Sequence, residues 1–169
     1  NLNILDLGCG NGKNSIYISE QSDNNRVYGI DISETAIILA KQAYPVGDFR
    51  VGNFGKTFPY SDRYFDIILD ITSSNSLSES EREIYLNEIN RTIKSGGFLF
   101  VRALCKDGDS NAKNLLSSNP GKERDTYIMP ELGLTERVFS KEDFTSQYSN
   151  SFELLYLDKE THYTKFNNR

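Results

Sequence analysis

The feature that most constrains this chain is a glycine-rich turn placed directly after its first apolar run. Residues 2–7 form a short apolar segment, and Gly8, Gly10 and Gly12 follow it at alternate positions. An apolar run that ends at glycine is typical of a strand buried on both faces of a parallel sheet. Glycines let the backbone turn tightly and approach a ligand, and the helix that follows offers unpaired N–H groups. The pattern therefore predicts a central strand, a ligand-binding turn and a helix.

Two aspartates flank this turn. Asp6 stands near the end of the first predicted strand, and Asp31 ends the second one. Glycine turns of this kind often hold phosphate, but a carboxylate at Asp6 repels phosphate and attracts a cation. An acid at the position of Asp31 can accept hydrogen bonds from both hydroxyls of a ribose. The pair favours a positively charged nucleoside over a pyrophosphate, although Asp31 also has a simpler alternative role as a cap of the next helix.

Strand and helix patterns alternate along most of the chain. Apolar runs predict strands at 2–7, 26–31, 48–51, 64–71, 98–104 and 152–157. Helices are predicted at 13–21, after the cap residue Ser33, from the Ser78/Glu81 capping box to the glycines at 96–97, and from Ser140 to about residue 148. This alternation predicts a single α/β domain with an open, doubly wound, mostly parallel sheet and helices on both faces.

One stretch, residues 106–138, falls outside the alternation and mixes turn residues with apolar ones. Structureless loops of this length are uncommon in compact domains unless they are functional, so we expect an ordered insertion over the strand ends that selects the substrate. The expected divisions are a ligand-binding part at about 1–104, the insertion at about 105–138, and a last helix and strand at about 139–169. Because the sequence opens on Asn1 without an initiator methionine and ends in a polar stretch at 165–169, we expect both ends to be boundaries within a longer chain.

The composition of the chain limits which classes of substrate, partner and metal we expect it to bind. The chain has 24 acidic and 19 basic residues, a net charge of -5, and lacks the basic stripe of a nucleic-acid binder, so we expect a small-molecule substrate and no nucleic-acid partner. It has no run of about 18 apolar residues and no basic start before a short apolar segment, which predicts no membrane partner and a cytoplasmic location. Cys9 and Cys105 fit no zinc or disulfide spacing, and His162 is the one histidine, so no metal is expected. Nothing in the sequence indicates an oligomeric state.

The first three fifths of the chain resemble a known family. Residues 4–12, ILDLGCGNG, followed by 27–33, VYGIDIS, look like the corresponding motifs of the class I S-adenosylmethionine-dependent methyltransferases, and weaker matches continue through 65–70 and 86–101. The resemblance covers about residues 2–104. It implies a Rossmann-like fold, S-adenosylmethionine as the cofactor and S-adenosylhomocysteine as the product.

The resemblance also implies a role for each residue of the candidate cofactor site. Asp31 holds the ribose hydroxyls, and Ile32 packs on the adenine. At the position of Asn53 and Phe54 the family often has an acid that receives the adenine amino group, and the Asn53 carbonyl can still accept that hydrogen bond. The residues implied around the methionine end of the cofactor are Asp6, Gly8, Cys9, Gly10, Asn11 and Gly12. The turn at 10–15 resembles that of tellurite- or thiopurine-type detoxifying members, but so few residues assign no substrate.

In methyl transfer from a sulfonium the donor is already activated, and the reaction is an in-line displacement. The protein therefore needs to supply only alignment and desolvation. A general base is required only when the acceptor enters protonated. Asp70 lies at the end of the fourth predicted strand, where family members line the methyl-transfer site. We expect it to be one of the cofactor-binding residues, and it is also the first candidate for a catalytic base. Thr72 and Ser73 are neighbours that can orient an acceptor. A strand-end aspartate also often orders a loop, so both roles stay open.

These observations together predict methyl transfer to a small, uncharged or cationic acceptor, which Tyr127 and Phe139 can contact. Three alternatives remain: a noncatalytic module that binds S-adenosylmethionine, a polyamine synthase-like aminopropyl transferase, and an NAD-dependent oxidoreductase. The oxidoreductase fingerprint places its last glycine three residues after the second, whereas Gly12 follows Gly10 by two. The spacing therefore disfavours the nicotinamide alternative.

Overall fold

The computed structural model describes residues 1–21 and 24–160 and contains seven strands and five helices in that part of the chain. The strands are β1 Asn3–Leu7, β2 Arg26–Asp31, β3 Asp48–Val51, β4 Phe65–Ile71, β5 Ile93–Arg102, β6 Thr126–Ile128 and β7 Thr135–Arg137. The helices are α1 Lys13–Ser19, α2 Glu34–Ala43, α3 Glu79–Thr92, α4 Ser110–Ser118 and α5 Lys141–Ser149, with a single 3₁₀ turn at Ser74–Ser76.

Five of the strands form one sheet in the order β3-β2-β1-β4-β5, and every neighbouring pair in it is parallel. The predicted open parallel sheet is therefore confirmed. The chain moves outward from β1 to β3 on one side and returns to β4 on the other, so the strand order reverses beside β1. At that point Leu7 lies opposite Ile30 of β2 and Asp70 of β4. In open α/β sheets ligands bind outside the carboxyl ends of the strands at such a reversal.

Helices cover both faces of the sheet, as the alternation of side chains along β1 shows. Leu5 and Leu7 are buried in a cluster with Tyr85 and Ile89 of α3. Asp6, between them, bonds to the first turn of α1. Because successive side chains of a strand point to opposite faces, α3 and α1 lie on opposite sides. A second cluster fills the α1–α2 side and comprises Cys9, Ile37, Ala40 and Phe49.

The capping box at the start of α3 is present as predicted. The Ser78 hydroxyl accepts the Glu81 N–H, and the Glu81 carboxylate accepts the Ser78 N–H. The end of this helix differs from the prediction, because α3 stops at Thr92 and β5 begins at once rather than after the glycines at 96–97. The N–H of Tyr64 donates to the Thr92 carbonyl, which brings the chain beside β4 and starts the strand early.

The segment predicted to be an ordered insertion contains α4 and an antiparallel hairpin of β6 and β7. Ala112, Tyr127 and Val138 form its small buried cluster. The helix α5 follows with Ser140 as its N-cap, where the sequence predicted it.

The predicted strand at 152–157 is wrong, because residues 153–160 have no regular secondary structure. Phe152 packs against the main core, but Leu154, Leu155 and Tyr156 are exposed and pair with no strand of the sheet. The apolar run that suggested a strand therefore has no partner strand within the described residues. His162 and the rest of residues 161–169 lie outside them. Across the described ranges, no helix combines the length and apolar character that crossing a membrane requires.

Candidate functional site

The glycine turn after β1 is held against β2 by its backbone. The N–H groups of Gly8 and Cys9 both donate to the Ile30 carbonyl, at 2.8 and 3.0 Å. Gly8 has φ of 67°, and a Cβ on it would lie 2.2 Å from the Ser73 hydroxyl oxygen, so only glycine fits there. Gly10 also has a positive φ, but a Cβ on it would meet no other described atom within 4 Å beyond its chain neighbours. The turn is thus closed on the Gly8 side and open to a ligand on the Gly10 side.

Asp31 joins this turn to the next helix. One carboxylate oxygen accepts the Gly10 N–H and the other accepts the Ser33 N–H, each at 2.8 Å. Ser33 in turn caps α2 by accepting the Ala36 N–H. Asp31 therefore does order the start of the helix, which was its alternative role. Each oxygen of a carboxylate keeps further acceptor capacity, so the predicted contact with ribose hydroxyls stays compatible with this geometry.

Asp6 lies beneath the turn with 1% of its surface exposed. The Ser15 hydroxyl of α1 donates to its carboxylate at 2.7 Å. Burial, together with the charges of Asp70 and Asp31, raises the pKa of Asp6 to about 6, although the hydrogen bond from Ser15 opposes this rise. Three carboxylates thus gather at the carboxyl ends of β1, β2 and β4 and give this crevice a negative potential, which attracts cations. Sequence reasoning missed Ser15; its place in the first turn after the glycines was the available signal.

Asp70 is fully buried and its carboxylate is surrounded by donors. One oxygen accepts the N–H groups of Ser73 and Ser74, both at 3.1 Å, and the other accepts the Tyr85 hydroxyl at 2.6 Å. Burial and the charge of Asp70 raise the pKa of Tyr85 well above its usual range, which keeps this phenol a donor. These contacts hold the turn after β4 in place. The assignment of Asp70 as a catalytic base stays a prediction.

The residues predicted near the adenine line the same edge of the sheet. Ile32, directly after Asp31, is 72% exposed and offers an apolar surface. The Asn53 carbonyl oxygen accepts the Gly55 N–H at 2.8 Å, and its amide donates to Glu81 at 3.4 Å. Phe54 packs beside Tyr85, with ring centroids 6.2 Å apart. The Asn53 oxygen therefore already holds one donor, and only its second lone pair remains for an adenine amino group.

The remaining predicted residues divide between backbone and side-chain roles. Asn11 is exposed at the tip of the turn. The Cys9 side chain is buried in the α2 cluster, and burial raises the pKa of its thiol to about 12. Its backbone shapes the turn, because its N–H donates to the Ile30 carbonyl and its carbonyl accepts the Gly12 N–H. A Cβ on Gly12 would lie 3.2 Å from the Ala40 Cβ, so a side chain has little room there. Tyr127 and Phe139, predicted to touch an acceptor, are both buried.

Comparison with known proteins supports the family resemblance found in the sequence. Residues 1–159 match the family model described as a methyltransferase domain. A methyltransferase of Invertebrate iridescent virus 6 is 31% identical over 103 residues, covering 61% of this chain and 37% of that protein. A tRNA N(3)-methylcytidine methyltransferase of Schizosaccharomyces pombe is 30% identical over 173 residues, covering 94% of this chain and 67% of that protein.

A solved structure agrees with these relatives. The crystal structure of a TehB-like SAM-dependent methyltransferase from Corynebacterium glutamicum superposes with a TM-score of 0.52 at 32% identity, covering 58% of this chain and 52% of that one. The chain therefore spans about half of the crystallised protein and little more than a third of the viral relative.

The sequence predicted no nucleic-acid partner, and this exclusion is wrong. Besides the tRNA enzyme, an 18S rRNA (guanine-N(7))-methyltransferase of Mus musculus is 31% identical over 80 residues, covering 47% of this chain and 28% of that protein. The prediction rested on the net charge of the whole chain. A net charge sums distant residues and does not report the potential at one surface, so it does not exclude a polyanionic substrate.

Proposed function

This chain belongs to the class I S-adenosylmethionine-dependent methyltransferases, and on that premise we propose that it binds S-adenosylmethionine in the crevice beside β1 and transfers the methyl group to an acceptor. The observation that carries the proposal is the hydrogen bond from the Gly10 N–H to the Asp31 carboxylate. It lies next to the open space at Gly10 and above the buried Asp6 carboxylate. A nucleoside with a cationic sulfur fits this arrangement of charge, whereas a pyrophosphate does not.

In this proposal, different residues of the crevice bind different parts of the cofactor. The outward lone pairs of Asp31 accept the ribose hydroxyls, and exposed Ile32 packs on the adenine. Asn53 and Phe54 border the base. The open turn from Gly8 to Gly12, with Cys9, Gly10 and Asn11 between them, receives the methionine end above Asp6. The cofactor supplies a methyl group already activated on a sulfonium, so the protein contributes alignment and exclusion of water rather than bond activation.

For Asp70 we infer a positioning role ahead of a catalytic one. Its two oxygens are engaged by Ser73, Ser74 and Tyr85, and its side chain has no exposed surface. A base must reach the proton that it removes, directly or through one water. Asp70 fixes the turn that borders the crevice, and Thr72, which has φ of 60°, and Ser73 are the side chains of this turn nearest to an incoming acceptor.

A small molecule is the first candidate for the acceptor, because the carboxylates at the carboxyl edge repel polyanions close to the reacting atoms. RNA is the second candidate, and the names of the tRNA and 18S rRNA relatives favour it. Incubating the protein with S-adenosylmethionine labelled on the methyl group separates the two. Label that enters an acid-soluble compound of a cell extract separable from S-adenosylmethionine by chromatography supports the small molecule, whereas label that enters total RNA and is released by ribonuclease supports RNA.

Calorimetric titration tests the cofactor itself. We expect S-adenosylmethionine and S-adenosylhomocysteine to bind and NAD not to bind. Asp31→Ala should weaken S-adenosylmethionine by about tenfold or more, the loss expected for a charged hydrogen-bond acceptor. The matched control is Asp48→Ala, which removes an aspartate at the opposite end of the neighbouring strand β3. Binding of NAD alone would overturn the proposal in favour of an oxidoreductase. Cofactor binding with no label transferred to any fraction would favour a noncatalytic module, and tighter binding of the decarboxylated cofactor would favour aminopropyl transfer.

A further inference from the structure

A second concave site lies on the other side of the turn after β4. It is an open cleft of about 270 Å³ between the start of α3, strand β7 and helix α5. Three nitrogen donors that line it are buried without an acceptor among the described residues: Arg82 Nε, Arg137 Nε and Gln147 Nε2. A native protein leaves few buried polar groups unpaired, so three in one cleft indicate a function for it. We refer to these three residues and their cleft as the donor cleft.

Arg82 is the most deeply placed of the three, with 3% of its surface exposed. Two of its nitrogens donate to the backbone carbonyls of Ser74 and Leu77, at 2.9 and 2.6 Å. No carboxylate of the described residues forms an ion pair with it. Burial lowers the pKa of Arg82, the charge of Arg137 lowers it further, and the charge of Glu123 opposes this shift in part. A buried cation beside a like charge is costly unless an anion compensates it.

Arg137 brings the second charge. Its guanidinium lies 4.9 Å from the centre of the Phe139 ring, and that of Arg82 lies 5.5 Å from the same ring. The aromatic ring therefore holds two cations close to one another, which the ring quadrupole partly favours but which leaves both charges without a carboxylate partner in the described chain. Gln147 adds an amide beside the Tyr148 hydroxyl, and its buried Nε2 has no acceptor in full hydrogen-bonding geometry.

The acidic residues around the donor cleft limit what can enter it. Asp143 lies in its wall but already pairs with Lys106 and Arg124, at 3.5 and 3.9 Å. Glu79 and Glu83 are exposed on the first turns of α3 at its rim. These rim carboxylates repel a chain of phosphates, whereas a single oxyanion can pass between them and reach the guanidinium groups, which match carboxylate and phosphate oxygens in geometry.

We propose that the donor cleft is a binding site for one oxyanion group, a carboxylate or a phosphate monoester, of a small ligand. It is separate from the cofactor crevice but shares the turn at 73–77 with it. On the crevice side, Ser73 packs against Gly8, and on the cleft side, the carbonyls of Ser74 and Leu77 bind Arg82. An anion bound to Arg82 would therefore hold this turn from the cleft side, and Asp70 holds the same turn from the crevice side. This site does not depend on methyl transfer, because its geometry lies wholly outside the crevice.

The test measures anion binding in the absence of any cofactor. Inorganic phosphate and, separately, acetate are titrated into the protein and followed by calorimetry and, for phosphate, by ³¹P line broadening. We expect one saturable site for at least one of the two anions. Arg137→Gln should weaken it by about tenfold, the value of one charged hydrogen-bonded contact. Arg26→Gln is the matched control, since it removes an exposed arginine at the far end of β2, and it should leave the affinity unchanged.

Three results would overturn the proposal. The first is the absence of saturable binding of both anions. The second is an equal affinity in the Arg137→Gln and Arg26→Gln variants. The third is displacement of phosphate by a single-stranded oligoribonucleotide at equal phosphate concentration, which would assign the cleft to an RNA backbone instead. Arg82→Lys may be compared only if it retains the wild-type circular dichroism spectrum, and Gln147→Leu, which leaves both charges in place, serves if it does not.

Discussion

The crevice beside β1 and the donor cleft lie on the two sides of one turn. They differ in the sign of their charged groups and in whether those groups have hydrogen-bond partners. In the crevice, the carboxylates of Asp6, Asp31 and Asp70 all accept hydrogen bonds from nearby N–H or O–H groups. In the cleft, Arg82 and Arg137 keep donors that no described residue accepts. Each carboxylate of the crevice thus has a hydrogen-bond donor without a ligand, whereas the arginines of the cleft keep donors that lack an acceptor.

The difference teaches how one small domain can bind two charges close together. Carboxylates held by the backbone attract a cation and repel anions, while guanidinium groups on the far side do the reverse. The turn at 73–77 separates the two potentials and is bonded to both. Substitutions in the crevice should therefore change cofactor affinity and leave phosphate affinity alone, and substitutions in the cleft should do the opposite.

The largest effect is expected at the closed side of the glycine turn. Gly8→Ala places a Cβ 2.2 Å from the Ser73 oxygen at a positive φ, and we expect it to destabilise the fold by about 3 kcal/mol from overpacking and left-handed strain. Gly10→Ala is the matched variant, with a similar φ but open space, and should cost about 1 kcal/mol. Its Cβ enters the ligand space, so it should lose S-adenosylmethionine binding while still folded. Urea unfolding and calorimetry measure the two effects, and equal destabilisation by both variants would contradict the assignment of the open side.

The next effect concerns Asp6 and pH. Burial raises its pKa from 3.8 to about 6, so the folded protein holds a proton that the unfolded chain has already released between these values. The free energy of unfolding therefore falls as pH rises through this window, and the ionised group costs about 3 kcal/mol at pH 7. Asp6→Asn should stabilise the cofactor-free protein by that amount at pH 7 and by nothing near pH 3.8. Thermal unfolding across this range checks it, and a pH-independent difference would show that the charge of Asp6 is not responsible.

A related effect is expected on the cofactor. A cationic ligand above Asp6 favours its ionised form, so affinity for S-adenosylmethionine should fall as pH drops below about 6. In Asp6→Asn the affinity should be lower at pH 7 and flat with pH. The same titrations with inorganic phosphate should not distinguish Asp6→Asn from wild type. A parallel loss of phosphate binding would mean that the crevice and the cleft are not independent.

The smallest effect is expected at the adenine end. Asn53→Ala removes an oxygen that already accepts the Gly55 N–H, so only one neutral hydrogen bond to the base is at stake. We expect less than a tenfold loss of S-adenosylmethionine affinity, about 1 kcal/mol, compared with a larger loss in Asp31→Ala. Calorimetry on the two variants orders them. A loss in Asn53→Ala that exceeds the loss in Asp31→Ala would reverse the proposed ranking of the two contacts.

Local patterns were sufficient for the sheet and for the cofactor turn. The alternation of apolar runs, the capping box of Ser78 and Glu81, and the glycines beside Asp6 are all short-range features whose consequences follow from backbone geometry. The strand predicted at 152–157 shows the limit of such patterns. Its residues form an apolar run, but a strand exists only when another strand accepts its hydrogen bonds, and no sequence window contains that information.

By itself, the sequence determined the parallel α/β sheet, the turn after β1 and the acids around it, because each depends on residues close together in the chain. Only the tertiary structure decided that Asp70 is enclosed by Ser73, Ser74 and Tyr85 rather than exposed to a substrate. It also decided that Arg82 and Arg137, from segments far apart in the chain, meet at Phe139. Burial and charge at a site are sums over all neighbours in space, and the fold, not the local sequence, chooses those neighbours.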